Sequence, residues 1–503
     1  MASRLVGLVR QKVIAHYLGQ STDPADALAT AFRIPNVLQN LLGEGALSAS
    51  FIPEYAQLRK QGRLAEADQL RNAVLGLLAA VVTAVVAIGV VFTPALVDVL
   101  VPGFAGSRRD LTVALVRILF PGVGLLVLSA WCLGVLNAHR RFFLSYAAPV
   151  VWNLAIIAAT LLAATSANGE RIVIWTAWGA VIGSLLQLVV QLPTVIRVSG
   201  PIVPSLDRTA PATRTVARRF GPAVLSRGVV QIGAFIDTWL ASWLPLGSVA
   251  ALANAQLLYT LPISLFGMSI AASSLPAMAE EAAGEFDPGA FRASLDQRLA
   301  QVAYFVIPSA VGFILLGHQV GGLIFQSGAF TAADVRWLWG TLAAAAIGLL
   351  PQAWGRLLAS AHYAFGDTAT PLRFATTRLL LAAGVGSVLA LFGPGLVGID
   401  PKWGTAGIAL GTALAGILEW ALLARSIERR VGPVGLGLAR GGRLWGAALA
   451  SAAAAWAALL GLEGRPVLLQ APIALAIFGL GYLVLTSLIG VPEAAALRRR
   501  LVR

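Results

Sequence analysis

The sequence predicts an all-α polytopic membrane protein of about fourteen transmembrane helices, and three observations carry that prediction. Of the 503 residues, 58% are hydrophobic and 12% are charged, against about 25% charged in a soluble domain. Apolar runs long enough to cross a hydrocarbon core of about 30 Å recur along the chain; AVLGLLAAVVTAVVAIGVVF from Ala73 and APIALAIFGLGYLVLTSLIG from Ala471 are two of them. The alternating ten-residue segments of a membrane β-barrel do not occur in the sequence, which leaves helices to satisfy the backbone in lipid.

Hydropathy and the breaks between apolar runs place the helices near residues 2–18, 25–57, 73–101, 111–137, 143–165, 171–194 and 219–244, then 248–278, 299–323, 334–361, 371–392, 403–424, 442–461 and 467–489. The second is long, and Pro35, Gly43 and Gly45 bend it. The first spans only about 25 Å and is rich in charge; either its neighbours shield it, or the true start lies upstream of Met1. No cleavable signal peptide is visible, so the first segment reads as a retained span.

Loops after even-numbered helices hold Arg59, Lys60, Arg63 and Arg71, then Arg140 and Arg141, then Arg197, Arg208, Arg214, Arg218 and Arg219. The same pattern continues with Arg425, Arg429, Arg430, Arg440 and Arg443, and the tail adds Arg498, Arg499, Arg500 and Arg503. Odd loops are sparse in cations apart from Arg108 and Arg109. The positive-inside rule then puts both termini in the cytoplasm of a multi-pass protein. The net charge of +14 follows this topology and does not imply nucleic acid. The single cysteine, Cys132, lies inside a span and excludes an internal disulfide.

A repeat is present. SRLVGLV at Ser3 matches SRGVVQI at Ser226, SFIPEYA around Pro53 matches SSLPAMA around Pro276, AHRRF at Ala138 matches AHYAF at Ala361, and GAVIG at Gly179 matches GIALG at Gly407. The shared order and offset of about 223 to 228 residues define a repeating unit. Six helices per unit give both copies one orientation. The expected architecture is two parallel six-helix lobes around a central cavity, plus two C-terminal helices. Its boundaries are an N-lobe at 1–197 (helices 1–6), a cytoplasmic linker at 198–218, a C-lobe at 219–430 (helices 7–12), and 431–503 with helices 13–14 and a basic cytoplasmic tail. The glycine pairs Gly179/Gly183 and Gly407/Gly411 suit close helix packing.

Charge inside the spans marks the candidate site. A charge at mid-membrane costs roughly 2.5 to 3.5 kcal/mol on insertion scales, so it faces protein, water or cargo. Arg4 and Arg10 lie about 120° apart around the first helix and can border one broad cavity. Snorkelling accounts for Lys12 and His16 near its exit. The second helix adds Asp26, Arg33 and Glu44, and the fourth adds Arg117. Guanidinium groups in a low-dielectric cavity suit a phosphate-bearing cargo; the competing reading is that these charges pair with one another and hold the bundle together. Asp237 in the seventh helix, with Arg227, is a candidate either to bind a coupling cation or proton or to pair with an arginine. Arg356, Arg378 and Glu419 are further intramembrane candidates. No His/Cys set with metal spacing occurs, and His139 and His362 recur at matching loop positions, which favours a structural role for both.

SRLVGLVRQ, followed by DALATAFRIPNVLQNLLGEGALSASFIPEYAQ, resembles the opening of the lipid II flippases of the MurJ (MviN) family, within the multidrug/oligosaccharidyl-lipid/polysaccharide exporter superfamily. LLYTLPISLFGMSIAASSLPAMAE from Leu257 is similar to the family's eighth helix. The resemblance covers the whole chain. It implies a transporter, not an enzyme, of a bacterial inner membrane that serves peptidoglycan biosynthesis. The implied cargo is lipid II, undecaprenyl-diphosphate carrying a disaccharide-pentapeptide, moved by alternating access with its tail left in the bilayer; cell-wall synthesis proteins are possible partners.

Residue by residue, the resemblance implies that Arg4 and Arg10 hold the diphosphate and that Asp26 and Glu44 shape the gate or bind the sugar-peptide. The family carries arginine at two positions that are Gln39 and Leu257 here. Its sodium site, where described, pairs a helix-seven aspartate, matched by Asp237, with helix-eleven groups replaced here by Ala382 and Gly386. No resident cofactor is implied; membrane potential or a cation, Na+ or H+, is the candidate energy source. A polysaccharide-lipid or drug exporter of the same superfamily, a membrane enzyme acting on the same lipid, and a non-transporting cell-wall scaffold are the alternatives.

Overall fold

The computed structural model describes residues 2–166, 168–283 and 286–495, the side chains at positions 2, 35, 44, 166, 225–227, 229 and 230 excepted. Glu44 and Arg227 therefore enter by their backbone alone, and Arg498, Arg499, Arg500 and Arg503 of the tail lie outside the described residues.

Helices follow one another through the chain. They are α1 (Ala2–Leu18), α2 (Asp23–Leu42), α3 (Glu44–Lys60), α4 (Leu64–Val91), α5 (Thr93–Leu100), α6 (Gly106–Ala138), α7 (Phe142–Ala163), α8 (Gly169–Ser199), α9 (Pro211–Ser242) and α10 (Ser248–Pro262). After a π-helical turn at Ile263–Gly267 come α11 (Met268–Ala283), α12 (Pro288–Leu315), α13 (Gly317–Phe325), α14 (Ala332–Ala346), α15 (Leu349–Ala364), α16 (Ala369–Leu391), α17 (Gly393–Val397), α18 (Gly404–Val431), α19 (Leu438–Leu460) and α20 (Val467–Leu488). No strand occurs among the described residues.

Helices stand at each of the fourteen expected positions, several of them in two pieces. The predicted second span is α2 and α3, broken at Gly43, whose amide still bonds back to the Gln39 carbonyl; a Cβ there would sit 2.5 Å from that same oxygen. The tenth is α14 and α15, bent by 43°. Among the described residues, ten helices are long and apolar enough to cross a membrane, or eleven with that bent pair counted as one. The other three expected spans are α1, the α2–α3 pair and α9. They bear Arg4, Arg10, Asp26, Arg33 and Asp237, so the shortfall in hydropathy falls on the helices that carry the candidate site.

Packing divides the chain into two compact units, Met1–Ala250 with Ser327–Phe330, and Ala251–Gln326 with Thr331–Arg503. The sequence repeat starts its second copy near 219, whereas the packing boundary falls one helix later, because α9 lies against α2 and α3. In the first unit α6 is central, flanked by α2, α3, α4 and α8, and its Trp131 is buried with Phe51 and Tyr55 of α3. The linker has no regular secondary structure over residues 201–209. Fully buried Arg71 of α4 holds it, donating to the carbonyls of Ser199 and Pro201. Ser327–Phe330 closes on α1, where the Ala329 amide donates to the His16 carbonyl at 2.7 Å.

In the second unit α12 packs against α14, α15 and α19, with Tyr304 buried at its centre and α19 and α20 paired beside it. The glycine pairs do what their spacing predicts. A Cβ on Gly179 would lie 2.4 Å from the Ala159 Cβ of α7, and one on Gly411 would lie 2.6 Å from the Gly386 Cα of α16. Backbones this close permit no side chain between them.

Candidate functional site

The sequence brings three sets of intramembrane charge into the first unit, and each has a different environment. Arg10 is half-buried on α1. Its guanidinium carbon lies 5.0 Å from the ring centroid of Trp152 on α7 and 5.6 Å from that of Phe32 on α2. The two rings meet edge to face at 6.3 Å, and the Trp152 indole N–H donates to the Ala180 carbonyl at 3.0 Å, which fixes the cage. No carboxylate among the described residues pairs with Arg10, and its Nε is buried without a hydrogen-bond partner. On the next turn of the helix Gly7 leaves space beside Asn153 of α7, whose Oδ1 is also buried and unpartnered. Thr30 on α2 has a third such atom, its hydroxyl. Aromatic faces hold a guanidinium in place but leave its charge intact. The cage is therefore a cationic, partly unsatisfied polar spot in a membrane helix bundle.

Arg33 is the neighbour of Phe32 and so projects from a different side of α2. It lies in the electrostatic field of Asp237 on α9. Arg4, about 9 Å along the axis from Arg10, is exposed and has no ion pair among the described residues. Arg117 is exposed as well. The Glu44 side chain lies outside the described residues; its backbone opens α3 directly after the Gly43 break.

Asp26 is fully buried and saturated. Its carboxylate accepts from the amides of Gly247 and Ala250 at 2.9 Å each and from Arg108 at 3.3 Å. It thus ties the start of α2 to the start of α6 and to the segment that opens α10, where unpaired amides and the helix dipole favour a negative group. Arg108 also donates to the Gly103 carbonyl and stacks on Phe104 at 4.1 Å. Arg109 is held by Asp98 through two bonds of 2.6 and 2.8 Å. Arg108 and Arg109 were the exceptions to the loop charge pattern, and both are neutralised by carboxylates.

The second unit has its own charged cluster. Arg378 of α16 is 3.1 Å from Glu419 of α18, and Arg356 of α15 lies in the field of both. Tyr259 of α10 faces the two arginines electrostatically, with its hydroxyl buried and unpartnered. Two cations against one carboxylate leave this cluster positive. Sequence reasoning found its three charged members but missed Tyr259, just as it missed Phe32 and Trp152. An aromatic in an apolar helix gives no local signal of what it touches.

The recurring histidines have matching structural roles. His139 pairs with the Tyr55 hydroxyl at 3.1 Å. His362 spans the Leu358 carbonyl at 2.9 Å and the Ser426 hydroxyl at 3.0 Å. Among the described residues, no group of three or more His, Cys, Asp or Glu is arranged to hold a metal.

The family model of the lipid II flippase MurJ matches residues 14–485. The chain is 29% identical to the probable lipid II flippase MurJ of Vibrio cholerae over 85% of its own length and 81% of that protein. It is 30% identical to the probable lipid II flippase MurJ of Rhizobium tropici, covering 86% and 79%, and 29% identical to the lipid II flippase MurJ of Burkholderia cenocepacia, covering 86% and 82%. Its fold is that of a solved lipid II flippase MurJ in an inward closed conformation, with TM-score 0.79, 24% identity, and 100% and 98% of the two chains covered. A multidrug resistance MATE transporter in its inward-facing conformation shares the fold more distantly, with TM-score 0.69 and 17% identity over 85% and 95%. With a family model spanning residues 14–485, nearly the whole chain, the chain belongs to the MurJ family of lipid II flippases.

Proposed function

We propose that this chain moves lipid II from the cytoplasmic to the outer leaflet of a bacterial inner membrane by alternating access, with both termini in the cytoplasm. The observation that supports this reading is the environment of Arg10: a guanidinium held by Trp152 and Phe32, with no carboxylate partner among the described residues. A structural arginine in lipid is expected to be paired. One caged between rings with an orphan Nε is preorganised for an anion that arrives and leaves, and a diphosphate supplies the matching acceptors. Arg4, exposed on the same helix and without an ion pair among the described residues, extends that path. Asp26 acts as a latch: three donors hold it, so it fastens the outer end of the bundle while the cargo binds from the other side. Glu44, at the Gly43 break, is the candidate for contact with the sugar-peptide.

In this reading the step is driven by membrane potential or by a cation at Asp237. A cation there would compete with Arg33 for the carboxylate, so its entry would release Arg33 from α9. Arg356 and Arg378 supply positive charge that the family carries elsewhere, at the positions of Gln39 and Leu257. Those two departures favour one second reading, an exporter of a related lipid-linked saccharide.

The test is complementation. Bacteria depleted of their own flippase and expressing this chain regain growth and wall synthesis. Loss of rescue by a well-expressed chain overturns the proposal.

A further inference from the structure

We infer that the first unit carries, beside the cargo path, a site for one anionic phospholipid. Between α3, α4 and α9 lies a half-open cavity of about 370 Å³, within the range of about 300–1,000 Å³ usual for small-molecule sites. Leu47, Val74, Leu77, Leu78, Val81 and Phe220 make its walls apolar. Two features are left over by packing. Thr213 is 2% exposed and lines the cavity, and its hydroxyl has no hydrogen-bond partner among the described residues. A buried hydroxyl is ordinarily satisfied, by protein or by something bound. Arg208 and Arg214 also line the cavity, both are exposed, and neither pairs with a carboxylate among the described residues. Arg214 donates to the Arg208 carbonyl at 3.4 Å, which keeps the two together. The neighbouring carboxylate, Asp207, is engaged elsewhere, accepting from Thr209 of the linker at 2.6 and 2.7 Å and from Gln69 of α4 at 2.8 Å.

The three features fall in the order a phospholipid needs. The arginines sit where the linker meets α9, Thr213 is in the first turn of that helix, and Phe220 is about 10 Å further along it. A phosphate would meet the guanidinium groups, an acyl ester carbonyl would accept from Thr213, and the chain would fill the apolar walls. Free phosphate would leave those walls bare, and a neutral lipid would leave the arginines unused. The linker end is a fitting place for such a contact, since buried Arg71 and the bond from the Ser205 amide to the Asn72 carbonyl at 3.0 Å hold the linker against α4. The site rests on the proposed topology only in placing the lipid in the cytoplasmic leaflet. Its test is binding and needs no transport.

The purified full chain is titrated with dioleoyl phosphatidylglycerol, with the phosphatidylcholine of the same chains, and with inorganic phosphate, and bound lipid is counted by native mass spectrometry. The expected result is one phosphatidylglycerol held more tightly than phosphatidylcholine. Arg208→Gln with Arg214→Gln lowers that affinity roughly thirtyfold, to the phosphatidylcholine level. Thr213→Val, which keeps the shape of the side chain, weakens both lipids several-fold at an unchanged unfolding temperature; it serves as the test should the double variant fail to fold. Undiminished binding in both variants overturns the inference. So does full displacement of the lipid by inorganic phosphate, which would make this a plain anion site, or preferential retention of undecaprenyl phosphate through the same residues, which would assign the cavity to the cargo.

Discussion

The Arg10 guanidinium lies 5.0 Å from the Trp152 ring centroid, a contact that positions the charge without neutralising it. A desolvated cation–ring contact is worth about 2 kcal/mol, enough to fix the side chain and too little to offset burial of a full charge. The proposed role then makes a sharp contrast. Arg10→Ala abolishes rescue of flippase-depleted bacteria, and Arg10→Lys loses most of it, since an ammonium cannot make the paired bonds of a guanidinium. Lys12→Ala, on the same helix, retains growth. Equal tolerance at positions 10 and 12, at equal membrane levels, would leave α1 with a purely structural part.

Asp26 has three donors, and removing it strands all of them. Asp26→Ala leaves the Gly247 and Ala250 amides and Arg108 without their acceptor, a loss of about 3 kcal/mol for a broken buried pair. Arg108→Ala costs less, because the two amide bonds to the carboxylate survive. Thermal unfolding of the detergent-purified protein should rank Asp26→Ala below Arg108→Ala, and both below the unaltered chain. The reverse order would remove the latch role from Asp26.

These two residues mark the limit of what the sequence could tell. The bounds of α1 were legible from its short run of apolar residues despite the charges within it, the bend after Leu42 from Gly43, and the close helix crossings from the glycine pairs. Arg108 was legible as an anomaly in the loop charges. Its partner was not, because Asp26 lies 82 residues away and no local pattern links the two. The Arg10 cage was invisible for the same reason: Phe32 and Trp152 read as ordinary apolar residues until α2 and α7 bring them to one guanidinium. The repeat told where the duplicated unit begins, near 219, but not that α9 packs on α2 and α3 and so closes the first unit at Ala250.

Gly411 and Gly384 give a steric contrast within one helix pair. A Cβ on Gly411 would sit 2.6 Å from the Gly386 backbone, whereas one on Gly384 meets nothing within 4 Å. Gly411→Ala therefore forces α16 and α18 apart and destabilises the protein by about 1–3 kcal/mol. Gly384→Ala should be neutral or slightly stabilising through helix propensity. The unfolding temperatures of the two variants check this directly.

His139, at the end of α6, is pushed down to about 4 by burial and then by the positive charges of Arg59, Arg71 and Arg141. Unfolded, it titrates near its ordinary value of about 6.5, so between roughly pH 6.5 and 4 the unfolded chain binds the extra proton. Stability from this residue is whole above that window and is lost as the pH falls through it. His139→Gln, which keeps a partner for the Tyr55 hydroxyl, should flatten the pH dependence of the unfolding temperature across this interval. An unchanged slope would place the titration elsewhere.

The second unit offers the counterpart of the Arg10 test. Arg378 has Glu419 at 3.1 Å, so Arg378→Gln strands a carboxylate and should lower the unfolding temperature as well as activity. Arg356 is the excess cation of that cluster, opposed by no carboxylate of its own. Arg356→Gln relieves repulsion with Arg378, so it should leave stability unchanged or raised. If Arg356 supplies the positive charge that Gln39 and Leu257 no longer provide, the same variant loses rescue despite its stability. Leu257→Arg in that background should recover part of the growth. A stable Arg356→Gln protein with full rescue would show that the cluster only holds α15, α16 and α18 together, since a residue that merely braces helices should not trade stability against transport.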